Sequence, residues 1–183
     1  MEKEVEFCSG HLTREHEISE LFTATFSVSE GANEGKVIGG LVRDLMQTTP
    51  TEDLFVWSTY EDNLLLGCIF LSRLTFAQDD RAVFILSPVA VKMDHQKTGI
   101  GQKLIAHGLE DLRQKGVDFV VTYGDPNYYS KTGFRQITED FAQAPLKLSF
   151  PDGWLGQSLS KQDERPFIGP SHCVPALNKP ELW

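Results

Sequence analysis

The chain of 183 residues has only three cysteines, Cys8, Cys68 and Cys173, odd in number and far apart. That spacing excludes a disulfide framework and a zinc-type ligand set, and reads as reduced thiols. No apolar run approaches the roughly 18 residues of a membrane span. The first residues, Met1-Glu2-Lys3-Glu4, are charged where a secretory signal would be apolar. Together these features set the expectation of a cytoplasmic protein with no membrane partner. Basic residues are scarce as well. Lys and Arg number 17 against 26 Asp and Glu, a net charge of −9 that argues against a nucleic-acid partner. The acidity suits a cleft for cationic amines, or simple solubility. His11, His16, His95, His107 and His172 never fall at H-x-x-x-H or H-E-x-x-H spacing, so no metal site is expected.

What is present is one domain's worth of chain, 40% hydrophobic, long enough to bury a substantial core. Val5 to Cys8 alternates as a short strand. Thr13 is placed to cap a helix whose first turn holds Glu15 and Glu17, with Ile18, Leu21, Phe22 and Phe26 on one face. Gly31-Ala32-Asn33 interrupts, and a second helix carries Val37, Ile38, Leu41, Val42 and Leu45 until Thr48-Thr49-Pro50. Leu54 to Tyr60 and Leu64 to Phe76 form a hairpin around Glu61-Asp62-Asn63, and Gln78 to Arg81 reads as the next turn. Val83 to Val91 is a continuous apolar run, as a strand buried on both faces would be, with Pro88 marking either a gap in pairing or an edge. Ile100 to Leu112 is helical and closed by Gly116; Phe119 to Tyr123 is a strand, and Pro126 to Ser130 a short helix. Phe134–Ile137 and Leu146–Phe150 are expected to pair as closing strands, and residues 151–183 to pack on the 1–150 core as a tail without a core of its own. The order β-α-α-β-β-β-α-β-α-β-β predicts an α+β fold with a mixed, mostly antiparallel sheet flanked by helices.

The most informative stretch is Gln96-Lys97-Thr98-Gly99-Ile100-Gly101, between the Val83–Val91 strand and the following helix. Glycines there let backbone amides approach a ligand, and the helix N-terminus favours an anion such as a pyrophosphate. The spacing is neither the G-x-x-x-x-G-K-[ST] of a P-loop nor the G-x-G-x-x-G of a dinucleotide fold. Q-x-x-G-x-G in this setting resembles the acetyl-CoA pyrophosphate loop of the GNAT acetyltransferase superfamily. A second match follows at Gly124-Asp125-Pro126-Asn127-Tyr128-Tyr129-Ser130-Lys131-Thr132-Gly133-Phe134, which resembles the family's Tyr-x-x-x-Gly-Phe motif.

The resemblance implies a GNAT-like sheet with a splayed central strand pair and acetyl-CoA as co-substrate. It implies transfer of acetyl to a primary amine, on a small molecule or a peptide, by direct attack. Tyr129 matches the family's general acid. Gln96, Lys97, Thr98, Gly99, Ile100, Gly101, Gln102 and Lys103 match the pyrophosphate site. Val89, Val91 and Asn127 match the positions that meet the pantetheine arm. A strand carboxylate used by many members as base is missing from Val83–Val91, which leaves Ser87 through water, Glu30 or Glu34, with Phe26 to Lys36 and the tail as the acceptor loops. That gap supports an alternative, an acyl-CoA-binding sensor with little catalysis. Exposed aromatics in the tail, among Trp154, Phe167 and Trp183, would allow a homodimer.

Overall fold

The computed structural model describes residues 4–161 and 164–183, so the charged start at Met1, Glu2 and Lys3 lies outside the described residues. The chain forms two compact units. One comprises the chain up to Phe70 with Pro88–Gly108; the other comprises Leu71–Ser87 with Leu109–Trp183. Residues 151–183 fall in the second unit.

Eight strands occur among the described residues: β1 Glu6–Ser9, β2 Leu54–Glu61, β3 Leu64–Phe76, β4 Asp79–Val91, β5 Phe119–Tyr123, β6 Arg135–Gln136, β7 Trp154–Ser158 and β8 Ser171–Cys173. Their hydrogen-bonded order is β1-β2-β3-β4-β5-β7-β6, with β8 on β3. The β4–β5 ladder is parallel; β1–β2, β3–β8, β5–β7 and β6–β7 are antiparallel. The β4–β5 register runs from Val83↔Phe119 to Leu86↔Thr122 and ends two residues before Pro88. Since β4 lies inside the sheet order, Pro88 marks a gap in pairing and not an edge strand.

In the first unit, helices α1 (Glu15–Glu30) and α2 (Ala32–Thr48) pack against each other. A single residue, Gly31 at φ 101°, links them, so Phe26 to Lys36 is not a loop: helix runs on both sides of the glycine. Thr13 does not cap α1. It takes a left-handed turn at φ 70°, Arg14 precedes the helix, and the acidic first turn supplies the dipole complement instead. Close approach of α1 and α2 is built on Gly35 and Gly39, where a Cβ would fall 2.6 Å from the Thr23 carbonyl oxygen and 2.0 Å from Thr23 Oγ1. Ile18, Phe22, Val42, Leu45 and Phe70 are the fully or nearly fully buried centre of this unit.

In the second unit, the β3–β4 turn is tighter than the polar run Gln78–Arg81 suggests. Asp79 already belongs to β4, and its carboxylate accepts from Arg81 Nε at 2.9 Å and from Nη2 at 2.7 Å. Leu146–Phe150 forms no strand; β6 pairs with β7, which comes from the tail. Gly156 of β7 leaves room for the Phe119 ring, to which a Cβ would come within 2.5 Å. Trp154 is fully buried and its indole N–H donates to the Ala142 carbonyl at 2.8 Å. Trp183 lies edge-on to Trp154 and stacked on Tyr123, and Phe167 is buried among Phe76, Phe119 and Phe141, so all three tail aromatics are core residues of this unit and none is exposed.

Candidate active site

The glycine loop stands in the first unit, at the end of β4. There the side of the strand alternates: Pro88 and Ala90 are buried, Val89 and Val91 half-buried. Lys92 N–H donates to the Leu66 carbonyl at 2.7 Å and anchors the strand end. A short 3-10 turn, Met93–His95, leads into the loop. Gln96 braces it, since its Nε2 donates to the Val91 carbonyl at 3.0 Å and its backbone N–H points to the Met93 carbonyl at 3.3 Å. Thr98 Oγ1 donates to the His95 carbonyl at 2.5 Å. Thus Gln96 and Thr98 spend their side chains on shaping the loop, and the Val91 carbonyl already has one partner.

The loop reverses through two left-handed residues, Lys97 at φ 61° and Gly99 at φ 85°. Gly99 suits that conformation; lysine there is strained. Helix α3 (Ile100–Gln114) follows, and its first backward bond is Lys103 N–H to the Gly99 carbonyl at 3.0 Å. The amides ahead of it have no carbonyl one turn back to meet, and the helix dipole adds to their pull on an anion. Gly101 is buried, Ile100 and Gln102 are half-buried, and Lys97 and Lys103 are exposed. Leu104, Ile105, Leu109 and Leu112 bury the other face of the helix. Gly116 at φ 79° ends it, with its N–H donating to the Arg113 carbonyl and Val117 N–H to that of Leu112.

Tyr129 stands in the second unit, on the one-turn helix α4 (Pro126–Tyr129). Asp125 caps that turn by accepting from Asn127 N–H at 2.9 Å, and Pro126 occupies the first helical position, where its missing N–H costs nothing. The Asn127 residue is exposed. The helix tightens into Ser130–Thr132, and Gly133 at φ 93° turns the chain so that Phe134 N–H returns to the Tyr129 carbonyl at 3.3 Å. The Tyr129 ring lies directly on Gly124, where a Cβ would be 2.8 Å from its Cε2. The rings of Tyr128 and Phe134 meet it edge-on at 5.0 and 5.8 Å. In β5, Thr122 Oγ1 donates to the Leu86 carbonyl at 2.7 Å. Burial above all raises the Tyr129 phenol well beyond its ordinary value, the Thr122 hydroxyl lowers it in part, and Tyr128 and Asp125 raise it further. Burial also raises Tyr128. Tyr129 therefore carries its proton throughout the physiological range.

Sequence marks Gly124 as the start of the second motif but does not make Thr122 conspicuous. The only local signal is one hydroxyl in the apolar run Phe119-Val120-Val121-Thr122. Of the candidates for a base, Ser87 is half-buried just past the last β4–β5 rung, Glu30 is the exposed last residue of α1, and Glu34 lies in the first turn of α2. The cysteines are free, and burial pushes the Cys68 thiol up to about 12, which leaves it inert at neutral pH. Among the described residues no group of three or more His, Cys, Asp or Glu is placed to hold a metal ion, and no helix is long and apolar enough to cross a membrane.

Residues 52–136 match a family described as an acetyltransferase (GNAT) domain. Over 151 residues the chain is 30% identical to the uncharacterized N-acetyltransferase YjhQ of Escherichia coli K12, covering 80% of each protein. The chain belongs to the GNAT acetyltransferase family. A second relative, the uncharacterized N-acetyltransferase YhbS of Escherichia coli K12, is 29% identical over 105 residues; the match spans 57% of this chain and 60% of that protein.

Solved GNAT structures share the fold. YhbS from Escherichia coli in complex with CoA superposes with a TM-score of 0.80 at 20% identity, over 98% of this chain and 94% of that one. A Brucella melitensis family member in complex with acetyl-CoA gives 0.73 at 22% identity, over 96% and 99%. The enzyme class is thus that of an acyltransferase.

Proposed function

We propose that this GNAT protein moves an acetyl group from acetyl-CoA to a primary amine by direct attack. The observation that carries the reading is the Gln96–Gly101 turn, which delivers the first amides of α3 at the end of β4. Those amides, with Lys97 and Lys103 nearby in sequence, suit the donor's pyrophosphate. Backbone groups of Val89 and Val91, past the last β4–β5 rung, suit the amide-bearing pantetheine arm, with Asn127 a further polar contact. CoA and acetyl-CoA in the two solved relatives support this choice of donor.

A lysine-like amine, with a free pKa near 10.4, must first lose its proton to solvent or a base. Its nitrogen then attacks the thioester carbonyl, the C–S bond breaks, and the departing thiolate takes the Tyr129 proton. The nitrogen sheds one proton as it becomes an amide, and that proton restores the phenol. Burial keeps the Tyr129 phenol protonated at neutral pH, so the proton is present when the thiolate leaves.

The test is thiol release from acetyl-CoA with a panel of an aminoglycoside, a polyamine, a lysine peptide and hydroxylamine. At least one acceptor should be turned over and carry the added acetyl mass on nitrogen. Tight CoA binding with no acceptor consumed would instead establish the CoA-binding sensor, the reading that the carboxylate-free run Val83–Val91 favours.

A further inference from the structure

We infer that Phe150 determines acceptor specificity, as an apolar platform for the hydrocarbon body of an arylalkyl primary amine. This inference rests on the acetyl-transfer reading above and on Tyr129 as its acid.

Phe150 lies in the second unit, in the segment between β6 and β7. Leu148 before it and Gly153 and Trp154 after it are buried, while Ser149 to Asp152 are exposed, Phe150 by 51%. The exposed stretch is nonetheless pinned. Phe150 N–H donates to the Tyr123 hydroxyl at 2.7 Å, and Ser149 Oγ lies 3.1 Å from the same hydroxyl. Gly153 N–H donates to the Phe150 carbonyl at 2.9 Å, and Gln136 Nε2 to Asp152 Oδ1 at 3.0 Å. The Phe150 ring rests on Gly153, where a Cβ would fall 2.8 Å from its Cδ1. Tyr123 is itself held, stacked on Trp183. A large aromatic ring ordinarily buries its area in a core. Here the loop fixes the backbone that carries it and leaves about half of the side chain open, so a ligand on the ring has little left to order.

Two glycines relate this ring to Tyr129. Gly124 N–H donates to the Gly153 carbonyl at 3.0 Å, and the Gly124 carbonyl oxygen is 2.8 Å from the place of a Gly153 Cβ. Tyr129 covers Gly124 and Phe150 covers Gly153, so the two rings rest on adjoining glycines at the end of β5. Tyr123 and Gly124 are consecutive at that strand end, and their side-chain positions face opposite ways. Tyr129 fills the side of Gly124, and Tyr123 holds Phe150 on the other, which is the side left for an acceptor.

The ring selects the body of the amine and not its charge. An aromatic face also attracts an ammonium, but only the neutral nitrogen attacks a thioester, so a cation held on the ring is unreactive. Productive binding lays hydrocarbon on Phe150 and leaves the nitrogen free to reach the carbonyl carbon. An aryl group gains most from such a contact, and a polycation such as spermidine gains little.

The experiment measures kcat/KM for 2-phenylethylamine, ethylamine and spermidine with acetyl-CoA as donor, in the wild type, Phe150→Ala, Phe150→Tyr and Tyr123→Phe. The wild type should prefer 2-phenylethylamine to ethylamine by about ten-fold or more, the scale of an apolar contact in a specificity pocket. Phe150→Ala should abolish most of that preference, chiefly by raising KM for 2-phenylethylamine, with KM for acetyl-CoA unchanged. Dividing by the ethylamine value of the same variant removes any general loss of activity. Phe150→Tyr should keep the preference. Tyr123→Phe keeps the ring that stacks on Trp183 but releases Phe150 N–H, and should lose part of the preference. An unchanged preference in Phe150→Ala overturns the inference and leaves the acetyl-transfer reading intact. So does a wild type that favours ethylamine or spermidine, or that turns over other amines but not 2-phenylethylamine. No catalysed thiol release with any amine overturns the acetyl-transfer reading itself. If Phe150→Ala does not fold, Phe150→Gln enters the same comparison.

Discussion

The Arg81 guanidinium carbon lies 3.7 Å from the centroid of the Phe167 ring. The same group donates to both Asp79 carboxylate oxygens and to the backbone carbonyls of Arg165 and Pro166 at 2.9 and 3.1 Å. Phe167 in turn meets Phe76, Phe119 and Phe141. One side chain on β4 thus fastens the tail to its unit. Arg81→Ala should lower unfolding stability by about 3 kcal/mol, the scale of a desolvated cation–π contact plus a charged hydrogen bond. Urea unfolding measures this. Arg81→Lys should recover less than half, because lysine lacks the planar fork; full recovery would show that charge alone matters.

The pair also has a pH signature. The side-chain hydrogen bond from Arg81 is the main cause holding the Asp79 carboxyl below its ordinary value, against partial burial. A carboxyl with a depressed folded pKa contributes stability that is present above the unfolded value of about 3.9 and is lost as pH falls through the folded one. The stability difference between wild type and Asp79→Asn should therefore be constant from pH 7 to pH 5 and shrink below about pH 4. A difference that stayed constant down to acid unfolding would contradict the assignment.

Gly124 and Gly116 separate function from backbone strain. A Cβ at Gly124 meets Tyr129 Cε2 at 2.8 Å, so Gly124→Ala must displace the ring. Thiol release should fall roughly ten- to a hundred-fold, as for other small misplacements of reacting groups, with CoA affinity retained in calorimetry. At Gly116, φ is 79° and nothing lies within 4 Å of a Cβ. Gly116→Ala should cost about 1 kcal/mol of stability through the left-handed backbone alone and leave the rate per folded molecule unchanged.

The α1–α2 pair makes a sharper comparison. Alanine at Gly35 would press on Ser27 Oγ at 1.8 Å and on the Thr23 carbonyl oxygen at 2.6 Å, which is backbone and cannot rotate away. At Gly39 the closest atom is Thr23 Oγ1 at 2.0 Å, the end of a side chain. Gly35→Ala should cost about 2–3 kcal/mol as overpacking, and Gly39→Ala less. Thermal midpoints in the reverse order would mean that the helices slide apart at Gly35 without strain.

Lys97 tests the loop. It holds φ at 61°, so Lys97→Gly should raise stability by up to about 1 kcal/mol by removing strain. If the lysine meets the donor's phosphates, the same change weakens CoA binding and flattens its salt dependence. Unchanged CoA affinity at low and high salt would assign Lys97 to solvent.

The glycine loop and the Tyr129 turn were legible in the chain because their physics is local. A left-handed residue at Gly99, the free amides of a helix start, Pro126 at a first helical position and the return at Gly133 are all fixed within a few neighbouring residues. The long hydrophobic periods likewise marked α3 and the β2–β3 hairpin to within a residue or two of their ends, and showed that α1 and α2 exist without fixing where one stops and the other starts.

Pairing was another matter. Leu146-Lys147-Leu148-Ser149-Phe150 alternates as a strand should, yet it forms none, whereas Trp154-Leu155-Gly156-Gln157-Ser158 occupies the edge of β5 despite a glycine in its middle. Alternation says only that a segment can bury one face. Which segment wins an edge depends on what crosses it, and here the Phe119 ring needs the space above Gly156, while the Trp154 indole needs the Ala142 carbonyl. The Thr122 hydroxyl has an equally non-local partner. Thr122 and Leu86 are 36 positions apart and meet only because β4 and β5 run parallel to that rung. Sequence alone determined the family's glycine loop, the order of elements as far as α4 and the place of the Tyr-x-x-x-Gly-Phe turn in the chain. Tertiary structure decided which strand completes the sheet and which carbonyl the Thr122 hydroxyl meets, because both depend on contacts between residues that no local rule connects.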